Sequence, residues 1–321
     1  MTSALVAATI AALSFTTHTD TTFAVPTGTR LELENYGGDI TVDTWSKNSV
    51  RIDAEHSTHT TIVPHREGTN LRIDAEQWRG GPTEVDYHLT LPTWMALHVN
   101  GVYSDISITG SRGEVRAETV NGDIEVVGGR GTVAISSVDG SVSVSDAVGH
   151  LELNSVNDAA MVKNVEGDLT VEGVNGDIML EDVRATNVDA TTVSGDIRYV
   201  GVLRNDGHYH LATHNGDIEV AVPEKANVTV SVSTFSGDFD STFPLKLTET
   251  KRGRRFKFTL GTGAGELGID SFQGTIRLAR PNELAKSDNG EGSGTGKGKG
   301  KSKDKDKDRD KDEDSDDDGD R

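Results

Sequence analysis

The chain has 321 residues, no cysteine, 36 glycines, 5% aromatic residues and a formal charge of −20. Without cysteine there is no disulfide framework, thiolate nucleophile or zinc ribbon, while abundant glycine and few aromatics suit short strands and tight turns. Residues 286–321 carry 10 Lys/Arg against 13 Asp/Glu, so about −17 of the charge belongs to the body. That body lacks the basic footprint a nucleic acid requires.

Residues 4–15 (ALVAATIAALSF) are apolar and too short to span a bilayer. A polar stretch follows, and Ser14-Phe15-Thr16 offers a small-x-small cleavage site, so residues 1–18 read as an export signal. The departure from that pattern is that no Lys or Arg precedes the run. The expected location is periplasmic, cell-surface or secreted, with no transmembrane segment once the signal is removed.

Residues 19–98 show strand patterning without a clean period and are expected to form an N-terminal β cap. A Pro-led unit appears at Val25-Pro26 before Gly38-Asp39-Ile40 and at Leu91-Pro92 before Ser104-Asp105-Ile106, and again later at Val222-Pro223 before Gly237-Asp238-Phe239. Trp45, Trp78 and Trp94 all lie in this part and are expected to supply the bulk of a cap core.

From residue 99 to 281 the chain repeats. Gly122-Asp123-Ile124-Glu125-Val126 returns eighteen residues later as Gly140-Ser141-Val142-Ser143-Val144, then as Asp158-Ala159-Ala160-Met161-Val162 and Gly176-Asp177-Ile178-Met179-Leu180. A valine stands two places before each step (Val120, Val138, Val156, Val174), at a position expected to face inward. Weaker glycine steps at Gly113, Gly131, Gly149 and Gly167 halve the unit, so each rung is two alternating strands and two turns. One rung buries too little apolar surface to offset the ordering of its own residues. The rungs must therefore stack, with Ile124, Val142, Ala160 and Ile178 in one inward column. The predicted class is all-β, a parallel β-solenoid with rungs of about eighteen residues.

Two other coils of this length do not fit. A hexapeptide helix needs an aliphatic residue every six places, but after Val120 and Val126 come Thr132, His150 and Asp168. A calcium-binding roll needs paired glycines and an aspartate in every nine, and Ser141 and Ala159 occupy two of the aspartate places. Beyond Asp177 the spacing stretches through Asp196, Asp217 and Asp238 to the equivalent Thr275. The extra residues fall within 181–185, 200–207 and 221–227, so insertions are expected along one edge, where binding commonly resides. Residues 282–321, Gly/Ser/Lys and then an alternating Lys-Asp run, lack apolar content and are expected to be disordered.

Together these pieces resemble the bacterial putative-adhesin family of β-strand-repeat domains. The resemblance rests on Phe23-Ala24-Val25-Pro26, Leu31-Glu32-Leu33-Glu34-Asn35, Gly38-Asp39-Ile40-Thr41-Val42 with Trp45, the Val-Asn-Gly-Asp-Ile steps at 120 and 174, and Phe272-Gln273-Gly274-Thr275-Ile276-Arg277-Leu278. It covers roughly residues 21–280 and implies an exported β-solenoid with no established activity; the partner expected of the chain is an envelope, glycan or protein one.

Asp105, Asp123, Asp177, Asp196, Asp217 and Asp238 are expected to stack at one corner as a turn ladder, each carboxylate taken by backbone amides. Asn121, Asn157, Asn175 and Asn215 run beside them. His208, His210 and His214 do not converge: the register turns Tyr209 and Leu211 inward and puts His214 at the inward valine place. His56 and His59 make no site either, so no metal, cofactor or catalytic residue is assigned. Lys251, Arg252, Arg254, Arg255 and Lys257 form a basic cluster in an acidic body and are the candidates for surface binding, toward an anionic lipid or acidic glycan. The reading is a non-enzymatic, adhesin-like envelope or surface scaffold. The alternative is a carbohydrate-active β-helix enzyme, a polysaccharide lyase or hydrolase.

Overall fold

The computed structural model describes residues 16–78, 80–243, 248–250 and 254–284. The signal stretch up to residue 15 and the charged tail from residue 285 lie outside them. The chain enters through β1 (Thr16–Ala24), β2 (Arg30–Gly37), β3 (Ile40–Trp45), β4 (Ser49–Ser57), β5 (Thr60–Glu67), β6 (Asn70–Gln77), β7 (Val85–Pro92), β8 (Ala96–Tyr103) and β9 (Ile106–Ser111). Regular rungs follow, pairing β10 (Val115–Asn121) with β11 (Ile124–Gly128), β12 (Arg130–Asp139) with β13 (Val142–Ser145), and β14 (Val148–Ser155) with β15 (Ala160–Lys163). After β16 (Glu166–Gly173), the long β17 (Ile178–Ser194) serves both sheets. The remainder is β18 (Ile197–Gly201), β19 (His208–Asn215), β20 (Ile218–Ala221), β21 (Val228–Thr234), β22 (Phe239–Ser241), β23 (Thr248–Thr250), β24 (Arg254–Leu260), β25 (Gly265–Gln273) and β26 (Ile276–Ala279). A helical turn at residues 281–284 closes the described chain.

The rungs form a parallel β-solenoid with two sheets. In the first sheet Ile124 lies opposite Val142, Val142 opposite Ala160 and Ala160 opposite Ile178, and all four are buried, as the eighteen-residue period predicts. In the second, Val115, Val133, Leu151 and Leu169 make the equivalent column. The core is thus a set of parallel aliphatic columns between the sheets, each side chain packed on its counterpart one rung away. Such a core depends on neighbour contacts and lengthens without growing thicker.

Stacking order departs from chain order at both ends. The β2–β3 rung hydrogen-bonds β8 and β9 on one side and β6 and β7 on the other. Residues 30–45 are therefore a full rung of the stack, although they precede the expected boundary at 99. At the far end the β25–β26 rung sits between β19–β20 and β21–β22. Thr275 thus follows Asp217 directly, and Asp238 lies outermost, which is why the spacing after Asp217 looked irregular. Antiparallel strands β1, β4 and β5 cover one end, and β23 and β24 flank the other.

Three expectations are corrected by packing. Val120, Val138 and Val174 face outward and are 40–48% exposed. The inward corner place belongs to the preceding residue, Thr119, Ser137 or Ser155, so alternation turns the valine out. Its hydroxyl donates to a corner carbonyl: Thr119 to Ser104 O (3.1 Å), Ser137 to Gly122 O (2.9 Å) and Thr213 to Gly195 O (3.0 Å). A valine there would leave that buried oxygen without its partner. The tryptophans do not make the cap core either. Trp78 is 87% exposed, and Trp45 and Trp94 lie at the margin, their indole N–H groups donating to Ser49 O and Asn48 Oδ1. Ile52, Ile73, Tyr87, Leu89 and Leu91 fill that end. Finally, Leu284 is buried against Ala221 and Ala279, so the packed chain runs past Pro281.

The insertions are tied down. Tyr209 Oη accepts from Arg204 N and lies 3.0 Å from both Ala185 O and Val202 O, which share its one proton, while Tyr199 Oη donates to Val202 O. Burial pushes the phenols of Tyr87 and Tyr199 well above the usual tyrosine range near 10. A pKa raised in the folded state means a contribution fully present below the unfolded value and lost as pH climbs past it. Above about pH 10 the fold should weaken, and tyrosinate absorbance from these two residues should appear together with loss of the β circular-dichroism signal, not before it.

Candidate functional site

At the Gly-Asp corner each carboxylate caps the next rung. Asp105 Oδ1 accepts from Asp123 N (2.9 Å), Asp123 Oδ1 from Ser141 N (2.7 Å), Asp177 Oδ1 from Asp196 N (2.8 Å), Asp196 Oδ1 from Asp217 N (2.7 Å) and Asp217 Oδ1 from Thr275 N (2.6 Å). Asp238, on the outermost rung, offers its carbonyl to Ile276 N. Asp86 and Asp39 continue the pattern at the other end. This corner is an inter-rung clamp made of charge-assisted hydrogen bonds. No group of three or more ligating side chains among the described residues could hold a metal ion. Treatment with EDTA should accordingly leave the melting temperature unchanged, and a calcium-dependent rise of several degrees would make the ladder a binding site.

The outward valines form a surface column on the second sheet. The register places Tyr36 beside Val102, followed by Val120, Val138, Val156, Val174, Val193, His214, Phe272 and Phe235. At 4.7–4.9 Å per rung this ridge is roughly 43 Å long. Its far end is aromatic: the His214 and Phe272 rings stack at 4.5 Å, and Phe272 and Phe235 at 4.7 Å with 4° between planes. Phe235 is 70% exposed. At the near end Tyr36 meets Tyr103 edge-on at 5.6 Å. Asn157 and Asn175 run alongside, joined side chain to side chain.

Two open grooves lie on the outer face of this sheet. The first, about 580 Å³, is bounded by Phe235, Phe272 and His214, with Thr191, Asp270 and Arg255 among its walls. The second, about 510 Å³, is lined by Asp168, Asp189, His208, His210, Glu266 and Gly268, among others. His210, in the lining of the second, links it to the first: its Nδ1 lies 3.1 Å from Asp189 Oδ1 and its Nε2 3.5 Å from Oδ2 of Asp270, a wall residue of the first. His208 and His210 do face outward, with Tyr209 and Leu211 buried. His214 is exposed, because the valine column it continues is itself external. Of the basic cluster, Arg255 and Lys257 lie on β24 opposite Ser233 and Ser231. Lys251, Arg252 and the side chain of Arg254 fall outside the described residues.

Stacked parallel rungs, repeated Gly-Asp corners and a closing Phe272–Leu278 segment tucked inside the stack describe one architecture from residue 30 to residue 279. The chain belongs to the Toastrack family, DUF4097, whose model matches residues 29–279. No curated protein matches it. Two solved structures resemble this Toastrack chain. One is a putative cell adhesion protein from Clostridium sporogenes, 11% identical, covering 82% of this chain and 100% of that one, at a TM-score of 0.20. The other is a putative adhesin from Parabacteroides distasonis, 12% identical, covering 82% and 97%, at a TM-score of 0.37. Activity on a Toastrack frame must be argued from its own side chains. No helix among the described residues is long and apolar enough to cross a membrane.

The aromatic stack was not legible beforehand. His214, Phe235 and Phe272 are distant in sequence, and only the insertion of β25 between β19 and β21 brings them into one column.

Proposed function

We propose that this Toastrack protein is an exported, non-enzymatic scaffold that presents the outer face of its second sheet to a partner in the cell envelope or on a surface. The observation that carries the reading is the continuous apolar ridge from Tyr36 to Phe235. Single exposed hydrophobes are ordinary, but a contiguous column with aromatic ends marks an interaction surface. A stack of hydrogen-bonded rungs holds the ridge straight and rigid, so little ordering entropy is lost on binding. The apolar segment at residues 4–15 supports export.

The test is binding of the mature protein to isolated cell envelopes, parent against a Val138→Lys, Val174→Lys double variant. Both valines lie on the surface, so melting temperature should change little. Envelope binding should weaken about tenfold or more, a loss of roughly 1.4 kcal/mol. Equal binding by the two proteins would remove the ridge from the interaction.

A further inference from the structure

We infer that the paired grooves beside Phe235 form a binding site for a neutral oligosaccharide, an inference that rests on the scaffold reading and gives its partner a chemistry. Three observations combine. The first is shape: two grooves of about 580 and 510 Å³ fall within the size range of small-molecule sites, and their linings meet where His210 of the second approaches Asp270 of the first at 3.5 Å. A ligand spanning both must be extended and able to turn polar groups to each side of that contact.

The second is the aromatic wall. Phe235, 70% exposed, ends the His214–Phe272–Phe235 stack among the described residues, with Phe272 stacked on its ring. An exposed, immobilised ring suits a partner that is apolar on one face and polar at its rim, as the C–H face of a pyranose is.

The third is polarity. Asp270, Arg255 and His214 line the first groove, and Asp168, Asp189, Glu266, His150, His208 and His210 line the second. Carboxylates accept from hydroxyls, and imidazoles donate or accept, so this lining matches a ligand rich in hydroxyl groups. The same carboxylates, on a body of about −17, repel an anionic polymer or membrane. This weighs the neutral sugar above the acidic glycan or lipid that the basic cluster suggested. Gly268, in the second groove, keeps its floor low: a Cβ added there would meet only His210 Cδ2 at 3.7 Å and the Tyr209 carbonyl at 3.8 Å, both ordinary contacts.

The experiment measures binding of the mature full-length chain to a panel of neutral oligosaccharides (gluco-, xylo- and manno-oligomers) and acidic ones (galacturonate and alginate oligomers). Isolated envelopes, untreated, periodate-oxidised or protease-digested, are tested in parallel. The expected result is saturable binding to at least one neutral oligomer and loss of envelope binding after periodate, which cleaves vicinal diols. Phe235→Ala and Asp270→Asn should each weaken binding about tenfold, and Gly268→Met should abolish it by filling the groove, with melting temperatures close to the parent's. Binding confined to acidic oligomers, envelope binding lost to protease but not to periodate, or unchanged affinity in Phe235→Ala and Gly268→Met would each overturn the inference. In the protease case the scaffold reading stands; if the parent binds no envelope in any form, the scaffold reading fails with it.

Discussion

Valine at Gly122 or at Gly176 should each lower the unfolding free energy by roughly 3 kcal/mol or more, beyond the usual range for overpacking. A Cβ at Gly122 would lie 2.2 Å from Ser104 O, and one at Gly176 would lie 2.1 Å from Asp158 O. Both oxygens belong to the backbone of the adjoining rung, so relief requires moving a rung and not a side chain. The two positions separate causes. Gly122 has φ +149°, whereas Gly176 is outside the left-handed region, so backbone strain alone would make Gly176 the tolerant site. Close approach predicts a similar penalty at both, already present with alanine. Thermal and urea unfolding of Gly122→Ala, Gly176→Ala and the two valine variants would decide. A stable Gly176→Ala would show that the corner has slack.

Ending the chain at residue 264, before β25, should abolish cooperative folding, while ending it at Leu284 should leave the melting temperature unchanged. In a solenoid stacked in chain order, losing the last rung shortens the protein and little else. Here β25–β26 is an internal rung. Its removal deletes the buried side chains of Leu267, Ile269, Ile276 and Leu278 and unpairs β19 and β20 on one side and β21 and β22 on the other. At roughly 1.5–3 kcal/mol for each fully buried side chain, the four account for about 6–12 kcal/mol, comparable with the whole stability of a typical domain. A cut after Pro281 falls between these cases, since it removes Leu284 from its contact with Ala221 and Ala279. Circular dichroism and size exclusion of the three truncations would rank them, and a folded, cooperative chain ending at 264 would contradict the rung order described above.

How much of this was legible in the residues depends on the range of the interaction involved. The period of eighteen sets which residues meet their counterparts one rung away, because parallel strands in register place residue i against residue i+18. The inward columns through Ile124 and Val133, the outward His208 and His210 and the common corner for Asp105 to Asp217 all follow from that local rule. Which side of the sheet a corner residue takes did not follow. Val120 and Thr119 are both β-branched and compete for one buried place, and the hydrogen bond from a Thr119 or Ser137 hydroxyl to a corner carbonyl decides it in favour of the polar residue. The period is likewise silent on rung order at the ends. A β2–β3 or β25–β26 segment carries the same alternating pattern whether it lies outermost or inside, and only the pairing of edge strands across long stretches of chain selects the inner place. The ridge, the aromatic stack of His214, Phe272 and Phe235, and the grooves beside it arise from that choice. The residues by themselves therefore determined the rung, its inward columns and its acidic corner, through contacts repeated at fixed spacing. Tertiary structure alone decided the surface that can bind, because its side chains become neighbours only after the final rung is inserted out of turn.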